Sequence, residues 1–117
     1  MGLTYAQVRV TGPKTSEELR LLVDTGSLYT WIHRATLERL GTTELGERRF
    51  RTIEGRDIRR KVGEAVIELS AERATRIIVY AEEGDAEVLG ADSLEGLGLE
   101  LDPLSKRLKK VEAFIAY

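Results

Sequence analysis

The sequence predicts an all-β domain with one or two short helices, and three observations lead to this fold class. Short runs of β-branched, aromatic and other apolar residues recur along the chain, and some of them alternate with polar residues. Glycine-containing turns separate these runs. Only residues 34–40 and 92–98 carry the signals of a short helix. A succession of short strands of this kind is typical of a β-barrel or a β-sandwich.

The first third of the chain predicts three strands and one helix. Tyr29 and Trp31 lie in an apolar, β-prone run and are expected to be core residues. The helix carries Leu37 and Leu40 on one face and is expected to stop at Gly41, because glycine readily takes the conformation that ends a helix. The expected elements are a strand at 4–10, a strand that follows a turn at 11–15 and reaches Val23, a strand at 29–32 and a helix at 34–40.

The segment 42–61 differs in composition from the rest of the chain. It contains seven basic residues between Arg48 and Lys61, few large apolar side chains and a Glu54-Gly55 pair at its centre. This composition suits an exposed β-hairpin with its turn near Gly55 better than two core strands. Its basic residues are most simply a solvated face, and a lesser possibility is a cleft that favours acidic peptides. Binding of nucleic acid is not expected, because acidic residues dilute the basic run.

The second half of the chain predicts further strands and a second helix. Residues 65–69 and 76–80 are expected strands, and the second is expected to be central because it is apolar on both faces. Asp92 and Glu95 have the spacing of a capping box, which predicts that Asp92 caps a short helix. Further expected elements are an acidic connection at 82–87, a strand at 99–101, a turn at 102–103 and a terminal strand at 111–117.

Size and composition limit the classes of protein to consider. A length of 117 residues predicts one domain over residues 1–117. A net charge of −2 gives no general preference for nucleic acid or for a membrane surface. The lack of cysteine excludes disulfides and thiolate metal sites, and no cofactor is expected. No apolar segment is long enough to cross a bilayer and the first residues do not form a signal peptide, so we expect a cytoplasmic protein.

The stretch with the clearest chemical potential is Leu-Leu-Val-Asp-Thr-Gly-Ser at residues 21–27. Its nearly continuous apolar run predicts a buried strand that ends at Asp24, followed by a tight turn at Gly26. One interpretation is that Asp24 only stabilises the turn, because Asp, Thr and Gly all favour turns. The other is that the carboxylate, at the end of a buried strand, performs acid–base chemistry.

Several of these residues resemble the motifs of the retropepsin-like aspartic peptidases. Asp24-Thr25-Gly26-Ser27 resembles their active-site signature Asp-Thr-Gly-Ser/Ala, and Val88-Leu89-Gly90 resembles the apolar-apolar-Gly element that lies beneath it. Residues 50–62 occupy the place of the flap, and residues 94–102 are similar to the helix-and-strand ending of cellular members. The resemblance covers nearly the whole chain and implies a small closed β-barrel.

The resemblance also implies a homodimer that hydrolyses peptide bonds. This chain has one Asp-Thr-Gly, whereas hydrolysis of this kind needs two carboxylates, which a two-fold dimer supplies. The two Asp24 carboxylates would share one proton and activate one water. Thr25 would bond to its counterpart across the two-fold axis, and Ser27 would donate its hydroxyl to Asp24. The terminal strands, 4–10 and 111–117, would interleave with those of the second chain.

The resemblance assigns the expected site residues to two groups, and no metal is expected. The expected catalytic residues are Asp24, Thr25, Gly26 and Ser27, and the expected substrate-binding residues are Ile53, Glu54, Gly55, Arg56, Leu89 and Gly90. The substrate would be a peptide or an unfolded protein, bound as an extended strand under the flap.

Two other functions are consistent with the same residues. The flap tip carries charged residues where the family often has glycine or other small residues, so the chain could be a dimer that binds peptides without cutting them. A strand followed by Asp-Thr-Gly-Ser also resembles the phosphate loop of the actin and sugar-kinase superfamily. That fold needs two domains, which 117 residues are too few to form.

Overall fold

Two sheets and two short helices form the part of the chain that the computed structural model describes, which is residues 2–113 and residue 116. The strands are β1 (Tyr5–Thr11), β2 (Ser16–Val23), β3 (Thr30–His33), β4 (Glu44–Arg51), β5 (Asp57–Leu69), β6 (Glu72–Ala81), β7 (Val88–Leu89), β8 (Leu99–Leu101) and β9 (Leu108–Lys110). The helices are α1 (Arg34–Leu40) and α2 (Ala91–Leu97). The expected all-β class with one or two short helices is confirmed.

The larger sheet has seven strands in the order β1-β2-β7-β3-β6-β5-β4. β1 also pairs with β5, from Arg9↔Glu68 to Thr11↔Val66, so the sheet curls until its first strand meets its sixth. β6 lies between β3 and β5, which confirms the predicted central position of residues 76–80. β8 and β9 form a separate antiparallel pair.

The core lies inside the curled sheet and beneath the two helices. In β1, Ala6, Val8 and Val10 are buried and the residues between them are exposed, as their alternation predicts. Leucines of both helices join the same core: Leu37, Leu40, Leu94 and Leu97. Burial of each such side chain stabilises the fold by about 1.5–3 kcal/mol. Within the described residues, neither helix has the length and apolar character needed to cross a membrane.

The two helices end as expected, but the second does not begin as expected. α1 stops at Gly41, whose φ of 79° is left-handed. α2 has Gly90 at its N-cap and makes no side-chain cap, so the prediction that Asp92 caps this helix is wrong. The backbone N–H groups of Ala91 and Asp92 donate instead to carbonyl oxygens of residues 27 and 28. The Asp92 carboxylate is left free to accept two bonds from Arg76, at 3.0 and 2.6 Å.

The two ends of the chain agree with the terminal strands expected at 4–10 and 111–117 to different extents. Residues 9–11 of β1 pair with strands on both sides, because β5 lies opposite β2. At the other end, residues 111–113 are not in a strand, and Phe114, Ile115 and Tyr117 lie outside the described residues. Within the described residues the last strand is β9, which was not predicted because two of its three residues are lysines and it shows no apolar alternation.

Candidate active site

The strand β2 places Asp24 at the beginning of a tight loop, residues 24–28, which we call the Asp24 loop. The Asp24 backbone N–H donates to the Leu89 carbonyl (3.0 Å), and its carbonyl accepts from the Ser27 N–H (3.1 Å). The Asp24 carboxylate accepts from the Gly26 N–H (3.0 Å). A Cβ at position 26 would lie 3.2 Å from that carboxylate, so glycine leaves the oxygen accessible.

A second layer of backbone holds the Asp24 loop from behind. β7 lies between β2 and β3, and the next residue, Gly90, passes close under the loop. A Cβ at position 90 would lie 2.3 Å from the Tyr29 carbonyl oxygen and 2.8 Å from the Ser27 carbonyl oxygen, so only glycine fits. The N–H of Ala91 donates to the same Ser27 carbonyl (2.8 Å). The loop is therefore fixed by its neighbours as well as by its own turn.

A pair of buried hydroxyls completes this support. The oxygens of Thr30 and Ser93 are 2.6 Å apart, and the Gly90 N–H donates to the Thr30 hydroxyl at 3.0 Å. Neither residue has measurable exposure. The sequence did not reveal this pair, because the two residues are 63 positions apart. A threonine in an apolar strand was the only available signal.

The Asp24 loop is exposed in the single chain. Asp24, Thr25 and Gly26 are all solvent-accessible, although Asp24 directly follows the buried Val23 at the end of β2. The expected bond from Ser27 to Asp24 is not formed, because the Ser27 hydroxyl donates to the Tyr29 carbonyl oxygen at 2.8 Å. A hydroxyl has one proton to donate, so this bond replaces the predicted one.

The loop opens onto a cleft of about 1030 Å³. The hairpin of β4 and β5 contributes to its lining, together with Trp31 and the turn at residues 83–86. Phe50 of the hairpin packs against Tyr29 and Trp31 with ring centroids 6.3 and 5.1 Å away. Tyr29 and Trp31 are only partly buried, so they line the cleft where the sequence placed them in the core.

The expected substrate-binding residues divide into two groups in the structure. Ile53, Glu54 and Arg56 line the cleft, with Gly55 beside them in the turn. The other two do not line it: Leu89 is fully buried and Gly90 is buried behind the Asp24 loop. In these positions they support the loop and offer a substrate no surface.

The tip of the hairpin, residues 52–56, is held mainly by bonds within itself. The Thr52 N–H donates to the Arg56 carbonyl at 2.8 Å, and the Gly55 N–H donates to the Thr52 carbonyl at 2.9 Å. Gly55 has a φ of 88°, which confirms the turn expected there. Ile53 is fully exposed at this tip.

An ion pair joins the hairpin to the turn at the edge of the cleft. Arg60 donates two bonds to Asp85, at 2.6 and 2.9 Å, and both side chains are largely buried. The Arg60 hydrogen bonds hold the pKa of Asp85 below its ordinary value, and the Glu82 N–H adds to the effect. Sequence reasoning did not single out Asp85, because nothing local to it indicates its partner.

The family of the chain follows from comparison with known proteins. The aspartyl protease family model matches residues 6–101. The solution structure of the simian foamy virus (mac) protease is similar with a TM-score of 0.56 and 16% identity, and the match covers 79% of this chain and 92% of that one. No curated protein is significantly similar in sequence. With this fold and with a match over most of its length, the chain belongs to the retropepsin-like aspartyl protease family.

Proposed function

We propose that this protein is an aspartic endopeptidase that is active as a homodimer. The observation that carries the proposal is the exposed Asp24 carboxylate, held by a braced loop at the edge of a peptide-sized cleft. The chain has one Asp-Thr-Gly, so a two-fold dimer is the simplest way to bring a second identical carboxylate to the site. In this dimer, the curled sheet of each subunit corresponds to the small closed β-barrel that the family resemblance implies.

The proposed chemistry uses the two Asp24 carboxylates as an acid and a base. The ionised carboxylate takes a proton from a water held between them, and the oxygen of that water attacks the scissile carbonyl carbon. The protonated carboxylate donates its proton to the carbonyl oxygen as the tetrahedral intermediate forms. When the C–N bond breaks, the proton taken from the water passes to the departing nitrogen, and one hydroxyl of the intermediate returns its proton to the other carboxylate, which restores the pair. The pair shares one proton because two adjacent carboxylates do not both ionise.

The other site residues position these groups and the substrate. Thr25, exposed in the single chain, bonds to its counterpart across the two-fold axis. The hairpin tip, residues 52–56, closes over an extended peptide or an unfolded protein and excludes water. Gly26 keeps the carboxylate accessible, and Ser27 holds the loop through its bond to Tyr29.

The direct test is hydrolysis of unfolded casein from acidic to neutral pH. Asp24→Asn is expected to lower the rate by about 1000-fold or more, because it removes the acid–base pair. Asp57→Asn is the matched control, because Asp57 pairs with Arg51 and does not line the cleft. Equal rates for wild type and Asp24→Asn would contradict the proposal. So would a strictly monomeric protein in light scattering at high concentration.

A second candidate is a dimer that binds peptides without cutting them. The charged tip favours it, because Glu54 and Arg56 flank the single glycine of the turn. Peptide binding by both wild type and Asp24→Asn, with no hydrolysis by either, would support this function. The phosphate-loop alternative is not retained, because the chain has the all-β fold of a retroviral protease.

A further inference from the structure

The inner face of the hairpin carries two arginines opposite each other on neighbouring strands. Arg48 of β4 is the register partner of Arg60 of β5, and both line the cleft. The next pair on this face is Phe50 and Ile58, which also line it. Two like charges directly opposite one another are unfavourable unless other groups compensate them.

The two arginines are compensated to different extents. Arg60 is neutralised by its bidentate pair with Asp85. Arg48 donates to the hydroxyl of Tyr29, a neutral group, and its guanidinium carbon lies 5.3 Å from the centre of the Tyr29 ring. Among residues 2–113 and 116, no carboxylate comes within ion-pairing distance of Arg48, although Glu54 and Glu83 also line the cleft. Arg48 therefore brings into the cleft a positive charge that no carboxylate of the described residues pairs with.

The contacts of Arg48 also prepare it to bind a ligand. The Tyr29 hydroxyl and ring hold the guanidinium at one nitrogen, and its other N–H groups make no bond to the described residues. A fixed guanidinium with free N–H groups binds a carboxylate through two parallel bonds and loses little entropy in doing so. Phe50, between Tyr29 and Trp31, adds an apolar surface for the methylene groups of a bound side chain.

We infer that Arg48 sets the substrate specificity of the proposed site by binding a carboxylate of the peptide. This inference rests on the proposed function and adds a substrate class to it: peptides with an acidic side chain near the cleaved bond. A substrate can also offer the same chemistry through its C-terminal carboxylate, so the test separates the two sources.

The test compares cleavage of short peptides that differ in a single carboxylate. One series carries Glu, or its neutral isostere Gln, at successive positions around the cleaved bond, with both peptide ends blocked. A second series keeps Gln and has a free C-terminus. Wild type is expected to cleave the best Glu peptide about tenfold faster in kcat/KM than its Gln isostere. A gain from the free C-terminus alone would overturn the side-chain assignment.

Three variants identify the residue responsible. Arg48→Gln is expected to bring the Glu-to-Gln ratio close to one, and Arg48→Glu is expected to reverse it in favour of a Lys peptide. Arg59→Gln removes the same charge from the opposite face of the hairpin, where Arg59 pairs with Glu47, and is expected to keep the ratio. The ratio is measured within each variant, so partial loss of folded protein does not change it. A ratio near one in wild type, or an unchanged ratio in Arg48→Gln, would overturn the inference.

A binding measurement separates this inference from the proposed function. The Asp24→Asn variant and fluorescent forms of the same peptides report binding without hydrolysis. A Glu preference in binding, with no hydrolysis by wild type, would support the role of Arg48 and contradict the peptidase. Hydrolysis of Glu and Gln peptides at equal rates would support the peptidase and contradict the role of Arg48.

Discussion

The Asp24 loop and the hairpin tip contribute to the same cleft but are held in different ways. The loop is bound from outside, through Leu89 and Ala91 of the neighbouring chain segment and through the packing of Gly90. The tip is held by bonds among its own residues, 52–56, and presents an exposed isoleucine. Few external contacts make a segment easier to displace. The comparison indicates a fixed Asp24 loop and a more easily displaced hairpin tip, which is the arrangement that the proposed chemistry and substrate entry both need.

The largest expected effect comes from Gly90→Ala, which tests the support of the Asp24 loop. The added Cβ would lie 2.3 Å from the Tyr29 carbonyl oxygen, and that backbone cannot move without moving the loop. We expect the free energy of unfolding to fall by about 3 kcal/mol, measured in urea at fixed protein concentration, and casein hydrolysis to be lost. A variant as stable and active as wild type would show that the loop is not fixed from behind.

An intermediate effect is expected from Asp85→Asn, which weakens the attachment of the hairpin body to the rest of the cleft. The folded state lowers the pKa of Asp85, so the ionised carboxylate stabilises the fold above its ordinary pKa, and this contribution is lost as the pH falls through the lowered value. At pH 7 we expect a loss of about 2 kcal/mol in the free energy of unfolding. The difference from wild type is expected to shrink below about pH 4.

Asp57→Asn serves as the control for this pH series, because Asp57 forms an exposed pair with Arg51 on the same hairpin. Exposed pairs contribute less than about 1 kcal/mol, so its unfolding free energy at pH 7 should stay close to that of wild type. A loss for Asp85→Asn that is the same at pH 3 and at pH 7 would show that charge is not the cause.

The smallest effect on stability is expected at the tip, from Gly55→Ala. No atom lies within 4 Å of the added Cβ, so the cost comes only from the left-handed φ of 88° and amounts to about 1 kcal/mol. We expect kcat to fall by more than this loss of stability explains, because the strained turn would close less well over a peptide. A loss of stability equal to that of Gly90→Ala would remove the distinction between the two regions.

Local patterns predicted much of this fold. The end of α1 at Gly41, the turn at Gly55 and the central strand at residues 76–80 each depend on neighbouring residues, and each was found where it was expected. The apolar run that precedes Asp-Thr-Gly was sufficient to locate Asp24 at the end of a strand.

Some of the remaining features depend on partners that are distant in the sequence. Others could not be predicted because two different structural roles favour the same residue types. Asp92 lies within α2, whose N-cap is Gly90, and its carboxylate bonds to Arg76 of β6 instead of capping the helix. Tyr29 and Trp31 were assigned to the core because an apolar cleft wall and a core have the same composition. Leu89 and Gly90 carry the expected motif, but their burial gives them a supporting role that spacing alone does not reveal.

The pairing of β1 with β5 has a consequence for how the chain reaches its native state. Arg9 and Glu68 are about 60 residues apart, so this contact cannot form during synthesis until residue 68 has left the ribosome. Contacts between such distant segments slow folding, because the entropy of closing a long loop is lost before any hydrogen bond forms to offset it. Until β5 has been synthesised, the hairpin of β1 and β2 has an unpaired edge along β1. Newly made protein is expected to be most vulnerable to aggregation and degradation at that stage.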